Sequence, residues 1–390
     1  MSDKEKQQDI VVAARKHYED IICPNVDDWE STSEYPLAAA AQAAKHGLLG
    51  IYCPKEYGGQ ALSFEEGIPV FEELGKGEGL YAFSFSMHNI VAFAICSFGQ
   101  KELRDEWAPK LISGESLGGF VLTEAQSGSD AAKVRTQAVI NEDGSYTING
   151  SKAWVSLADV ADIYLVVVKT SSIPGKDDIA MVAVPKDTRG ISFGDPYDKL
   201  VSPFLPIADM FFDSVTVPAS NVIFPPGKGL SGSLMAIDIA RTSISAGCCG
   251  LISSSLDLAL TYARDRQLFG KSELEFQGIQ WMLADVATDL EASRLLYKHA
   301  SKYLGTPEGT LAAAHAKRFA PDAAQRAAAT CMQVLGGAGL LIPSAIERNY
   351  RIAPVMKMVD GTTEIQRHVI ARALQQYAKT LPPIPEQECK

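Results

Sequence analysis

The chain has 390 residues, of which 46% are hydrophobic and 21% charged, and its formal net charge is −11. That length calls for two or three domains, and the composition is that of an ordinary soluble globular protein. The negative charge argues against a nucleic-acid surface, while leaving room for a local basic pocket around a phosphorylated ligand. The opening Met1–Asp9 segment is polar and mixed in charge, so it does not read as a signal peptide. The longest apolar runs, Ile90 to Cys96 and Ile163 to Val168, are too short to span a bilayer. A cytoplasmic protein with no membrane and no nucleic-acid partner is expected. Cysteines 23, 53, 96, 248, 249, 331 and 389 are scattered, with no Cys-x-x-Cys pair, and read as reduced thiols filling the core. The histidines form no His-x-x-x-His or Cys/His cluster, so no metal site is expected.

In chain order, residues 1–117 read as helical, with Ala-rich and acidic stretches punctuated at Cys53-Pro54 and Gly58-Gly59. A β block follows over 118–224. It contains an Asn141–Gly144 turn before Ser145–Gly150, and strand-like runs at Ile163–Val168, Ile179–Val184 and Met210–Val217. Because no helical spacers separate these runs, a doubly wound nucleotide fold is excluded. The helical period returns over 225–390. Leu256, Ala259, Leu260 and Ala263 form one stripe, and Ile279, Leu283, Val286, Leu290 and Tyr297 form another. Further helical stretches follow Pro307 and Pro343, and four long helices suggest an antiparallel bundle. The class expected is α+β, with three domains. Gly336-Gly337-Ala338-Gly339 follows a helical run rather than a strand, so it reads as a helix end with a close backbone approach, not a dinucleotide turn.

Five segments carry chemistry. Val121-Leu122-Thr123-Glu124-Ala125-Gln126-Ser127-Gly128-Ser129-Asp130 would, alone, be a turn. Asn149-Gly150-Ser151-Lys152-Ala153-Trp154-Val155-Ser156 would be a strand with a core Trp. The others are Asp238-Ile239-Ala240-Arg241, Arg266-Gln267-Leu268-Phe269-Gly270 with Gln277 following, and Asp360-Gly361-Thr362-Thr363-Glu364-Ile365-Gln366-Arg367. In isolation Asp360-Gly361 is turn chemistry. Together and in this order, the five resemble the acyl-CoA dehydrogenase family over residues 30–378.

The resemblance implies an N-terminal helical domain, a middle β-barrel or sandwich and a C-terminal four-helix bundle, with FAD as cofactor. Val121, Thr123, Ser129, Trp154 and Ser156 would lie along the flavin. Arg266, Phe269, Gln277, Gln333 and Gly337 would meet the FAD of a neighbouring subunit, which implies a homotetramer. Thr362 and Glu364 would lie near the FAD diphosphate and adenosine. Ser129, Asp238, Arg241 and Gly361 would contact the substrate, and electrons would pass to electron-transfer flavoprotein.

The catalytic segment of the family is Tyr-Glu-Gly-Thr-x-x-Ile-x-Arg, whose Glu removes the proton alpha to the thioester. Here that position is Asp360. One branch carries its Glu at the position of Ala240, which has no carboxylate. A base must lie within hydrogen-bond reach of its proton, and ~1 Å of misplacement costs about 10²-fold in rate. A carboxylate shorter by one methylene therefore points to a bulky acyl group. An alicyclic thioester such as cyclohexanecarboxyl-CoA comes first, and a short branched chain second. A nitroalkane-oxidase-like enzyme also uses Asp, but Asp238 and Arg241 favour a CoA ester. A non-catalytic flavoprotein is the reading from another class. Phe83–Asn89 is expected to help form the acyl pocket, with His88 either packed or reactive. No Arg or Lys occurs from Phe83 to Phe98, which disfavours a dicarboxylic acyl group.

Overall fold

The computed structural model describes residues 3–170 and 178–382; Cys389 lies outside them. The N-terminal helices are α1 (Asp3–His17), α2 (Cys23–Thr32), α3 (Leu37–Lys45), α4 (Phe64–Gly67), α5 (Val70–Gly75), α6 (Gly79–Phe98) and α7 (Lys101–Ser113). The helix α6 lies almost wholly inside the fold. It carries no charged residue, and Glu78 caps its start by accepting from the Tyr81 backbone N–H. Burial pushes Glu78 up to about 7, although it also accepts from Ser202 Oγ at 2.5 Å. His88 is a packed residue. Its Nδ1 accepts from Gly118 N at 3.2 Å, which leaves the Nε2 proton for Leu49 O at 3.0 Å. Burial lowers it to about 4, so it is neutral near pH 7.

The strands are β1 (Gly118–Val121), β2 (Gln137–Ile140), β3 (Tyr146–Ser156), β4 (Ile163–Lys169), β5 (Ile179–Pro185), β6 (Ile191–Phe193), β7 (Ile207–Val217) and β8 (Val222–Phe224). They form one sheet in the order β6-β7-β3-β2-β4-β5-β8, and β1 pairs parallel to β4. β4 and β5 are buried along almost their entire length, which is why they read as unbroken apolar runs rather than alternating ones. The β3–β7 register shifts between Lys152 and Val155, and Trp154 in that shift has φ +59°. A bulge of this kind re-aims a side chain.

The remainder is helical: α8 (Gly229–Asp265), a small hairpin of β9 (Gln267–Leu268) and β10 (Lys271–Ser272), then α9 (Gln277–Tyr303), α10 (Pro307–Leu335), α11 (Ala345–Met356) and α12 (Thr363–Ala378). The stretch expected as one helix after Pro343 is thus two, broken at Asp360-Gly361. The α10 helix ends at Leu335. The glycines beyond it are only partly the expected close approach: a Cβ on Gly339 would stand 2.7 Å from Met332 O, whereas Gly336 and Gly337 face open space. The helix α5 presses against α8, where a Cβ on Gly250 would meet Glu72 O at 2.1 Å. Glu72 in turn accepts from Arg294 Nε and Tyr297 Oη of α9, each at 2.7 Å. Both α6 and α8 are long and apolar enough to cross a membrane, but 94% and 72% of their apolar windows are buried within the fold.

Candidate active site

Between α11 and α12 the backbone turns through two left-handed residues, Asp360 at φ +51° and Gly361 at φ +90°. Aspartate is among the few side chains that tolerate this region. Glycine is favoured at 361 because φ +90° strains any L side chain, and a Cβ there would also crowd Arg241 Nη2 at 3.0 Å and Gln366 Nε2 at 3.1 Å. Thr362 then caps α12 by accepting from Ile365 N at 3.3 Å.

Three side chains hold this loop by its carbonyls. Arg241 Nε donates to Asp360 O at 3.1 Å. Lys317 Nζ donates to Met356 O at 2.8 Å and Gly361 O at 3.3 Å. Gln366 Nε2 donates to Gly361 O at 2.9 Å. The donors serve the backbone, and Asp360 Oδ2 is buried without a hydrogen-bond partner. Burial pushes the Asp360 carboxyl up to about 6, against the opposing charges of Lys317 and Arg241. A carboxylate placed in this way is available to take a proton near neutral pH.

Arg241 is fixed in turn by Asp238, whose Oδ1 lies 2.9 Å from Nη1. Asp238 Oδ2 accepts from Thr310 Oγ1 at 2.6 Å. Both Asp238 oxygens are engaged within the chain, so this residue orients Arg241 rather than presenting a free carboxylate. Lys317 is fully buried, and burial lowers it to about 8 while the Asp360 charge opposes that shift. Sequence reasoning missed Lys317, Thr310 and Gln366. A signal for Lys317 was present: it shares a helix face with the buried Ala313, Ala320 and Ala324, where a lysine is out of place.

A second group lies on the sheet. Val121 is buried at the end of β1 and Thr123 is half-buried just beyond. Ala153 N donates to Thr123 O at 2.9 Å, which brings Trp154 and Ser156 of β3 beside them. The Trp154 residue is 62% exposed and packs at a tilt against Tyr197, with ring centroids 4.6 Å apart. Beneath it, Lys152 and Glu124 form a buried ion pair at 2.8 Å. Burial pushes Glu124 up, but the Lys152 charge and the Thr136 hydrogen bond outweigh it and hold the carboxyl at about 2. This pair, also unassigned from sequence, ties the two motifs together. Ser129 is exposed in the turn after Thr123.

The other expected cofactor residues lie exposed on other elements. Arg266, Phe269 and Gln277 are exposed, Phe269 at 95%. Arg266 follows Arg241 by 25 residues along or just past α8, which is roughly 38 Å at the helical rise. Gln333 and Gly337 are exposed at the end of α10. Glu364 is exposed and pairs with Arg367 at 3.1 Å.

The chain matches the acyl-CoA dehydrogenase N-terminal domain over residues 4–115, the middle domain over 119–215 and the C-terminal domain over 227–375. It belongs to the acyl-CoA dehydrogenase family. A probable acyl-CoA dehydrogenase of Bacillus subtilis is 36% identical over 90% of this chain and 93% of its own. The butyryl-CoA dehydrogenase structure from Megasphaera elsdenii superposes with a TM-score of 0.91 at 31% identity, covering 96% of this chain and 99% of that one. A glutaryl-CoA dehydrogenase from Mycobacterium smegmatis in complex with FADH2 has a TM-score of 0.88 at 27% identity, covering 95% and 94%. The protein is thus an FAD-dependent acyl-CoA dehydrogenase, an oxidoreductase of the family's α+β, three-part fold.

The residues present fit a flavin. Trp154 offers an exposed indole on a bulge beside Thr123, and Phe269 is an almost fully exposed aromatic residue with φ +50°. Next to the Asp360 loop, α6, α8 and α11 line a small cavity of about 10 Å³ between Ala82, Phe83, Ser86, Ser243, Ile244 and Met356. Phe83 and Ser86 belong to the stretch expected at the acyl pocket. Among the described residues, no group of three or more His, Cys, Asp or Glu is placed to hold a metal ion.

Proposed function

We propose that this enzyme oxidises an alicyclic acyl-CoA thioester, with Asp360 as the base that removes the alpha proton. The observation that carries the reading is the Asp360 carboxylate, buried and unpartnered at Oδ2 in a loop whose carbonyls are otherwise held by Arg241, Lys317 and Gln366. FAD, when bound, supplies the acceptor for the beta hydrogen as hydride. Asp360 takes the proton, Arg241 and Lys317 keep its loop in place, and Val121, Thr123, Ser129, Trp154, Ser156, Thr362 and Glu364 serve the cofactor.

The length of α8 supports a shared site. Arg266 and Phe269 stand too far from Arg241 to serve the same cofactor, so they, with Gln277, Gln333 and Gly337, would meet the FAD of another subunit in a homotetramer. Electron-transfer flavoprotein is the proposed acceptor, and the cytoplasm the proposed location. The short Asp360 side chain leaves height for a ring above the flavin. The cavity holds about one water-sized sphere, so a six-membered ring would have to displace Met356, an unbranched side chain that changes rotamer readily. That same small cavity favours a short branched acyl chain as the second reading.

The test is a panel of acyl-CoA thioesters mixed anaerobically with the holoenzyme while visible flavin absorbance is followed. Faster bleaching by cyclohexanecarboxyl-CoA than by butyryl-CoA is expected; the reverse order, with branched esters also ahead, removes the alicyclic assignment.

A further inference from the structure

Ser86 is 1% exposed, and its Oγ is buried without a hydrogen-bond partner. A serine within a helix ordinarily relieves this by donating to a carbonyl one turn back. Other buried helix serines here do so: Ser84 to Tyr81 O at 2.7 Å, Ser243 to Ile239 O at 3.0 Å, Ser245 to Arg241 O at 2.7 Å and Ser255 to Leu251 O at 2.8 Å. Among the described residues, Ser86 is the serine whose buried hydroxyl is left without a partner.

That hydroxyl lines the cavity between α6, α8 and α11, whose volume of about 10 Å³ is about one water-sized sphere and admits one polar atom. Phe83, Ile244 and Met356 make much of the wall, so a water would find few partners there. The cavity adjoins the reacting centre. Ile244 stands three residues from Arg241, which donates to Asp360 O. The Met356 carbonyl shares the Lys317 ammonium with Gly361. An acyl group held against Asp360 would therefore direct its far end toward Ser86.

We propose that Ser86 is a specificity-determining residue which hydrogen-bonds an oxygen on the distal part of the acyl group. The preferred substrates are then hydroxyl- or keto-substituted acyl-CoA thioesters. This rests on the acyl-CoA dehydrogenation described above, with the acyl group seated between α6 and α8. A site built to bond a hydroxyl discriminates strongly against the analogue that lacks it, because the protein group is left unpaired.

The experiment measures kcat/KM for flavin reduction in matched sets. Cyclohexanecarboxyl-CoA is compared with its ring-hydroxylated and ring-keto analogues, and butyryl-CoA with its terminally hydroxylated analogue. Wild type should favour an oxygenated member by about tenfold or more in at least one set, and the better of the hydroxyl and keto arms identifies the oxygen. Ser86→Ala should bring that ratio near one. It should not lower the melting temperature of the substrate-free holoenzyme, since the hydroxyl it removes has no partner. Wild-type ratios near or below one in both sets, or an S86A variant that keeps the preference, would overturn the proposal. If butyryl esters outrun the ring esters, the alicyclic reading fails while the butyryl pair still decides the role of Ser86.

Discussion

Lowering the pH from about 8 to about 5 should cut kcat/KM about tenfold if Asp360 is the base, because ionisation of a group near pH 6 falls about a decade per unit below its pKa. Burial raises the carboxyl from an ordinary 3.8 to about 6. At about pH 5 only roughly a tenth would then be ionised, whereas an unperturbed carboxyl would remain roughly nine-tenths ionised. Asp360→Asn should lie about 10²-fold or more below wild type at neutral pH, where the base is ionised, while still binding FAD.

The same displacement has a thermodynamic counterpart. For a carboxyl whose folded pKa is raised, the protonated form favours folding; that contribution is complete below the unfolded pKa and is lost as pH rises through about 6. Two units correspond to ~3 kcal/mol, so wild type should lose about that much relative to Asp360→Asn between about pH 4 and 7. The cost of the amide itself is independent of pH and cancels in the comparison. Stopped-flow flavin reduction and paired melting curves across that range provide both readouts. A kcat/KM that stays flat down to about pH 5, or a melting difference that does not change with pH, would refute this account of Asp360.

Lys317→Met should move the acid limb of kcat/KM toward higher pH, because the Lys317 charge opposes the burial that raises Asp360, while Lys317→Arg should retain more of the wild-type profile. The Cys248, Arg241 and Asp322 groups that also act on Lys317 remain in both variants. Glu124→Gln leaves Lys152 buried and unpaired and should destabilise the protein by ~3–5 kcal/mol by denaturant titration. The Glu124 contribution is present above the ordinary 4.5 and lost as pH falls through about 2, so the variant and wild type should converge in acid. Arg266→Ala should reduce both FAD retention and subunit assembly, read by bound-flavin absorbance and by size-exclusion chromatography; a variant that remains yellow and fully assembled would remove Arg266 from the shared site.

Local sequence was enough for the broad architecture. β4 and β5 announce themselves as apolar β-branched runs between turn residues, and the stripes through Leu256 and Leu283 mark the helices, because these patterns arise from backbone periodicity alone. It was also enough for the positions of Thr123, Trp154, Arg241 and Asp360, whose motifs are contiguous. What lay beyond it depends on contacts between distant segments. Lys317 precedes Gly361 by 44 residues and Lys152 follows Glu124 by 28, and no local pattern says which buried charge will meet which carbonyl or carboxylate. The break at Asp360-Gly361 reads as a simple turn until the left-handed backbone, the Arg241 approach and the unpartnered, buried Oδ2 appear together. Ser86 is the extreme case: its neighbour Ser84 has the same chemistry in the same helix, yet Ser84 bonds Tyr81 O and the distant Tyr35 hydroxyl while the Ser86 hydroxyl faces a cavity between α6, α8 and α11 without a partner.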